Sequence, residues 1–264
     1  MKKTEYRLHC SHMDTGFRVR IAVVADLHGN PPDAVLRVLR DDPPDFIAAP
    51  GDIGERLDGS EPEATGNLLR FFKEAVQLAP VVYSYGNHEI GACGHFRVSK
   101  ISLANCGTQI VLPELLARIR ETGVTFLDDA FTDIGNIRFG GLTSGMVNRE
   151  NRPRTDWLKG FCAGAGTDGK YRVLLCHHPE YYEPYLKALP IDLILSGHAH
   201  GGQWRFFGRG IFAPCQGLFP KYTSGVTDGR FVISRGTGDH TWIPRLFNPH
   251  EVVYVTVTGD TVAR

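Results

Sequence analysis

The sequence predicts an α/β layered domain, and three observations carry that prediction. Near-continuous apolar runs recur along the chain, helical patterns separate the early ones, and each run stops at polar residues rich in Asp, Asn and His. Apolar runs of this length suit strands buried on both faces. Their alternation with helices argues for helices layered on a sheet.

The elements follow in order. Two lysines open the chain without an apolar core behind them, so no signal peptide is expected. The first strand is 19–25 (VRIAVVA). PPDAVLRVLRD then starts with prolines, which suit a helix N-terminus, and repeats apolar residues at helical period. A second strand covers 46–50 (FIAAP). Within 62–79, Leu68, Leu69, Phe72, Ala75, Val76 and Ala79 form one helical stripe. The third strand is 81–85 (VVYSY), and 113–121 (PELLARIRE) reads as a helix. GAGTDGKY (164–171) has P-loop glycine and lysine spacing, but Tyr171 replaces the Ser/Thr and a strand pattern follows, so it reads as a turn. The fourth and fifth strands are 172–176 (RVLLC) and 191–195 (IDLIL), with a helix between them at 179–188. Beyond residue 200 the texture changes to short pieces between Gly and Pro, and RFVIS and EVVYVTVTG read as antiparallel strands. No repeat or linker interrupts the pattern, so one domain over 1–264 is expected.

Composition narrows the function classes. The chain is 42% hydrophobic and 22% charged, which is soluble globular usage. Lys plus Arg equals Asp plus Glu at 29 each, so no global field draws it to nucleic acid or an anionic membrane. The apolar runs are too short to span a bilayer. The cysteines at 10, 93, 106, 162, 176 and 215 form no C-x-x-C pair, and no N-x-S/T sequon occurs. Reduced thiols in a cytoplasm are expected, with Cys93 and Cys106 the one pair to check.

The run ends carry the chemistry. They are Asp26-Leu27-His28, Gly51-Asp52, Gly86-Asn87-His88-Glu89, His177-His178-Pro179 and Gly197-His198-Ala199-His200. Ligands of open α/β sheets bind beyond the C-terminal strand ends. In an extended chain residues i and i+2 share a side, so Asp26 with His28, and His198 with His200, are each expected to reach one ion. Carboxylate, amide oxygen and imidazole suit Mn, Fe or Zn. A single histidine at a strand end is commonly structural; five such ends in succession point to metal.

The motifs ADLHGN, PGDI, YGNHE, LLCHHP and SGHAHGGQ resemble the signature of calcineurin-like metallophosphoesterases. The tail is similar to the bacterial branch that includes cell-wall-associated phosphoesterases and UDP-diacylglucosamine hydrolase-like enzymes. The resemblance implies an α/β fold, a four-layer αββα sandwich of two mixed β-sheets flanked by helices, with its core motifs within 19–205. It implies two divalent or transition metal ions, manganese first and iron or zinc as alternatives. Asp26, His28 and His200 would hold one ion, Asn87, His177 and His198 the other, and Asp52 both. His88 would be the catalytic acid facing the leaving oxygen, and a hydroxide between the ions would attack a small phosphorylated substrate, a monoester or diester. Branch members often begin with a membrane helix or export signal; neither is expected here, and so neither is attachment to a membrane or cell wall. Gly29-Asn30 also stands where a larger residue is usual. A metal-binding scaffold without catalysis, or a nuclease, are the rival readings; His88 favours an enzyme, and neutral charge disfavours the nuclease. Arg149, Arg152 and Arg154 in MVNRENRPR make either a solvated loop or a phosphate clamp. Lys221 and Tyr222 are candidates for the pocket border, His178 for a supporting role, and His240 has no assigned role. His9, His12, His95 and His250 read as ordinary surface residues.

Overall fold

The computed structural model describes residues 1–90, 111–145, 152–213, 216–239 and 244–260. In the first sheet, β1 (Lys2–Cys10) lies at one edge and pairs in parallel with β16 (Glu251–Gly259). Next come β2 (Arg18–Val23), β3 (Phe46–Ala49), β4 (Val81–Tyr83) and β5 (Thr125–Phe126). β16 runs antiparallel to β2, and β2 to β5 are mutually parallel. The second sheet has the order β14 (Gly225–Thr227), β15 (Phe231–Ile233), β9 (Leu193–Ser196), β8 (Tyr171–Cys176), β7 (Ile137–Leu142), β6 (Ala130–Ile134). Only its two edge pairs are antiparallel.

Side-chain parity builds four layers from these sheets. Ile21 and Val23 of β2, with Val253 and Val255 of β16, pack against Val173, Leu175, Leu193 and Leu195 of the second sheet. The alternate residues Ala22, Ile47, Val81 and Tyr254 face the other way. They meet α1 (Asp33–Asp41), α2 (Pro62–Ala75) and α3 (Pro113–Glu121) through residues such as Leu36, Phe72 and Ile119. On the far side Leu174, Cys176, Ile194 and Phe231 pack on Leu158 and Phe161 of α4 (Leu158–Cys162) and on Tyr182 and Leu186. Each central strand is buried on both faces, which is why its sequence reads as an unbroken apolar run. The expected αββα sandwich of two mixed sheets is the observed fold.

Some elements differ from expectation. Residues 179–188 do not form an α-helix: Pro179–Tyr181 is a 3₁₀ turn and Tyr182–Leu186 a π turn. RFVIS pairs antiparallel with β14 but parallel with β9, and EVVYVTVTG antiparallel with β2 but parallel with β1. β1, β6, β7 and α4 are additions. GAGTDGKY is a turn, with Gly164, Gly166 and Gly169 at positive φ, running into β8.

Candidate metal centre

Five strand ends converge on one place. β2, β3 and β4 of the first sheet run into Asp26-His28, Asp52 and Asn87-His88; β8 and β9 of the second run into His177 and His198-His200. The two sheets are stitched together there. The His198 backbone N–H donates to Asp26 Oδ1 at 2.8 Å, and His177 Nδ1 donates to the Pro50 carbonyl at 2.9 Å.

Within this cluster Asp26, His28 and His200 offer ligand atoms that all lie within 4.8 Å of one another, as do Asp52, His177 and His198, and likewise His28, Asp52 and His88. Asp52 and His28 each belong to two of these groups. His28 Nε2 is 3.1 Å from His200 Nε2, and His177 Nε2 is 2.9 Å from Asp52 Oδ2. His198 and His200 separate into different groups, against the expectation from their spacing. The reason is the backbone. Asp26, His28, Asp52, His198 and His200 all adopt φ between 45° and 66°, the left-handed region, so strand alternation does not apply to them.

The donor set fits metal ions. Asp26 Oδ2, Asn87 Oδ1 and His198 Nε2 are buried side-chain atoms with no hydrogen-bond partner, while Asp52 Oδ2 and His177 Nε2, equally buried, face each other at 2.9 Å. Burying such atoms unpaired is costly, and an ion satisfies them together. Their far sides are already held. The His88 backbone N–H donates to Asp52 Oδ1 at 2.8 Å, so Oδ2 is left for the centre. His177 Nδ1 donates to the Pro50 carbonyl, so Nε2 is the nitrogen that faces the centre.

Several residues at the site escaped the sequence reading. Glu55 accepts from His28 Nδ1 at 2.9 Å through one oxygen and from His88 Nδ1 at 2.8 Å through the other. Glu89 accepts from the backbone N–H groups of Asp52, Ile53, Gly54 and Gly86, tying the β3 loop to the β4 loop. Arg245 donates from Nη2 to His200 Nδ1 at 3.0 Å and to the Gly238 carbonyl. Glu55 stands three residues after Asp52, a weak signal at best; Arg245 lies forty-five residues past His200 and left none. His178 lies against the site: Ser144 Oγ is 2.6 Å from its Nε2, its ring centroid lies 4.3 Å from that of His198, and with Glu180 and His198 it makes a further group of close ligand atoms. Lys221 Nζ is 2.6 Å from Glu183 Oε1, and the Tyr222 hydroxyl donates to the same oxygen. His12 is more than an ordinary surface residue, since its Nε2 is 2.7 Å from Asp192 Oδ1. Arg152 and Arg154 are exposed. Arg149, His95, His240, Cys93, Cys106 and Cys215 lie outside the described residues, and Cys10, Cys162 and Cys176 are free thiols.

The protein alone polarises these groups. Burial, with the charge of Asp52 added, pushes Asp26 up to about 6. Burial also raises Asp52, but His177 and His88 outweigh it and hold that carboxylate well below its usual range. Burial and then His88 push His28 down to about 4. Against its burial, Asp52 pulls His177 up to about 9. Burial drives His198 and His200 well below the usual imidazole range, so both offer neutral nitrogens. Carboxylates and imidazoles this crowded repel and attract without cancelling, the usual condition of a site completed by cations.

An αββα sandwich with carboxylates and imidazoles gathered at its joined strand ends has the architecture of a metal-site protein, and the comparisons agree. Residues 19–202 match the profile of the calcineurin-like phosphoesterase family. The chain belongs to that family. It is similar to an uncharacterized metallophosphoesterase of Aquifex aeolicus (strain VF5), 26% identical over 275 residues, covering 98% of this chain and 92% of that one. A shorter match, 39% over 93 residues, is to the uncharacterized protein YpbG of Bacillus subtilis (strain 168), covering 35% of this chain and 33% of that one. Among solved structures, a novel archaeal phosphodiesterase aligns at 12% identity and a TM-score of 0.40 over 83% of this chain and 84% of that one. TT1561 of Thermus thermophilus aligns at 13% and 0.42 over 69% and 82%. Among the described residues, no helix is long and apolar enough to cross a membrane.

Proposed function

We propose that this chain hydrolyses a phosphate monoester or diester at a two-ion centre held by Asp26, His28, Asp52, Asn87, His177, His198 and His200. The observation that carries the reading is the gathering of Asp26, His28, Asp52, His177, His198 and His200 into close groups of ligand atoms, with buried atoms of Asp26, Asn87 and His198 left without a hydrogen bond beside them. Family membership supports metal-dependent phosphoester hydrolysis in general. The ligands come from both sheets, so the chain is read as one catalytic domain. When bound, the ions supply the positive charge that activates water and takes up charge on the phosphoryl oxygens.

The chain's own residues do the rest. Asp52, the one carboxylate shared between groups, spaces the two sites. His88 is the acid. Glu55 takes its Nδ1 proton, which turns Nε2 towards the centre, 4.0 Å from Asp52 Oδ2. A carboxylate behind an imidazole also stabilises the protonated ring, so His88 can deliver a proton to the leaving oxygen.

The test is turnover of p-nitrophenyl phosphate and bis-p-nitrophenyl phosphate by metal-stripped protein reloaded with manganese. Manganese-dependent hydrolysis is expected, and the preferred ester names the substrate class. Asp52→Asn should fold and lose at least about a thousandfold in kcat. A fully active Asp52→Asn protein would sink the two-ion reading.

A further inference from the structure

Exposed apolar surface is concentrated in one place. Among the described residues, every exposed large apolar side chain except Met1 and Phe131 falls within 204–219 or 246–247. Phe207 sits at the tip of the hairpin joining β10 (Arg205–Phe206) to β11 (Arg209–Gly210) and is fully exposed. Phe206 and Phe247 touch with ring centroids 5.6 Å apart, and Trp204 bridges to Leu246. Phe219 donates its backbone N–H to Ile211, which itself donates to Trp204, so one ladder joins these pieces. Soluble monomers rarely carry such a patch without a use for it.

Its backbone is unusual too. Phe207, Phe219 and Phe247 have φ of 48°, 52° and 53°. Bulky side chains are rare in that region, where Gly, Asn or Asp would serve without strain. Three turns thus carry a phenylalanine where folding alone would favour Asn or Gly, and each ring points into solvent. Both features cost the isolated protein stability, the mark of residues kept for contact.

Charge decides the occupant. The chain is neutral overall, but between Asp192 and Asp228 there is no acidic residue, while Arg205 and Arg209 fall inside that stretch; Lys221, also inside it, is paired with Glu183. A cleft of about 470 Å³ among Phe206, Phe207 and Phe247 has Arg205 in its wall, beside Arg235, which is paired with Glu251. A second copy docking through the same patch would set these cations against each other. Protruding aromatic tips with a cationic surround match the interface of a bilayer, where rings enter the acyl boundary and guanidinium groups meet lipid phosphate. We infer that the 204–219 and 246–247 loops dock this protein onto an anionic lipid surface. The inference is independent of catalysis, although the docking loops hang from the site: Asn248 Nδ2 donates to the His200 and Gln203 carbonyls.

The experiment is co-sedimentation of the full chain with vesicles of phosphatidylcholine, with and without phosphatidylglycerol. Phe207→Asn/Phe219→Asn is the test variant, since Asn accepts positive φ and both sites are exposed. Wild type should bind the anionic vesicles and be released by salt. The double variant should bind about tenfold more weakly while keeping its melting temperature and its turnover of soluble p-nitrophenyl esters. Arg209→Gln should weaken binding about fivefold on anionic vesicles alone. Wild type remaining in the supernatant, a double variant that binds like wild type, or a wild-type dimer abolished by the double change would each overturn the inference. Catalytically dead Asp52→Asn protein should bind like wild type, so a failed phosphoesterase reading leaves this result intact.

Discussion

Glu55 holds two histidines with one carboxylate, and the two contacts have separable consequences. Glu55→Gln keeps the shape but cannot accept from both Nδ1 groups as an anion. It should lower kcat by roughly 10–100-fold with a smaller change in KM. His88→Ala should lower kcat by about 10²–10⁴-fold, and pairing it with Glu55→Gln should add little, because both changes act on one proton delivery. Steady-state kinetics on the manganese-loaded protein decides; additive losses would separate Glu55 from His88. A second residue acts on stability. Burial, offset in part by the Thr143 N–H, pushes Asp129 up to about 6. A carboxyl raised above its unfolded value is fully favourable below pH 4 and loses that contribution as pH rises through 6. Asp129 has φ 47°, which Asn tolerates, and Asn can still accept from Thr143. Asp129→Asn should therefore raise the melting temperature above pH 6, by of order 1–2 kcal/mol in stability, and change little below pH 4. An unchanged difference across pH would show that Asp129 is not titrating in this range.

At the scale of the element, the decisive feature is the loop that follows each strand. The residue types there were legible, because Asp, Asn or His follows each of five strands buried on both faces. How the loops aim them was not, since left-handed backbone at Asp26, His28, Asp52 and His198 is imposed by neighbouring loops and not by local propensity. Close approach of two loops makes one glycine critical. A Cβ on Gly86 would overlap the Asp52 carboxylate and lie 2.6 Å from the Asp52 nitrogen. Gly86→Ala should cost about 2–4 kcal/mol and weaken manganese uptake. Urea melts with and without metal test this, and a variant as stable and as metal-replete as wild type would refute it. Among strands, β2, β3, β4, β8 and β9 stood out because both faces are buried. β1 did not: only Thr4, Tyr6, Leu8 and Cys10 turn inward, and the residues between them are charged or polar. Tyr182–Leu186 had helical content in its sequence, yet packing beneath β9 and β15 widened it to a π turn.

For the whole molecule, the site is the seam between two sheets, so the ions and the fold should support each other. Ligands from β2, β3 and β4 on one side and from β8 and β9 on the other are crowded together, and cations would turn a strained junction into a clamp. Removing metal with a chelator should lower the melting temperature by about 5–10 °C at ordinary metal excess, reversed by manganese. No shift on stripping, in protein shown to contain metal beforehand, would mean that the seam holds without ions.

The sequence by itself determined the strand order of chemistry: which residue types follow which buried run, and hence the layered α/β class and the candidate ligands. These are local facts, because burial on both faces and ligand identity are written in consecutive residues. Spacing put His198 and His200 together, whereas the folded loops place them in different groups, the division the family resemblance implied. Tertiary structure alone brought Glu55 between His28 and His88, set Arg245 behind His200, and gathered three turn phenylalanines on one face. Each of those depends on segments far apart in the chain meeting at a distance of a few ångströms, and no periodicity or spacing encodes such a meeting.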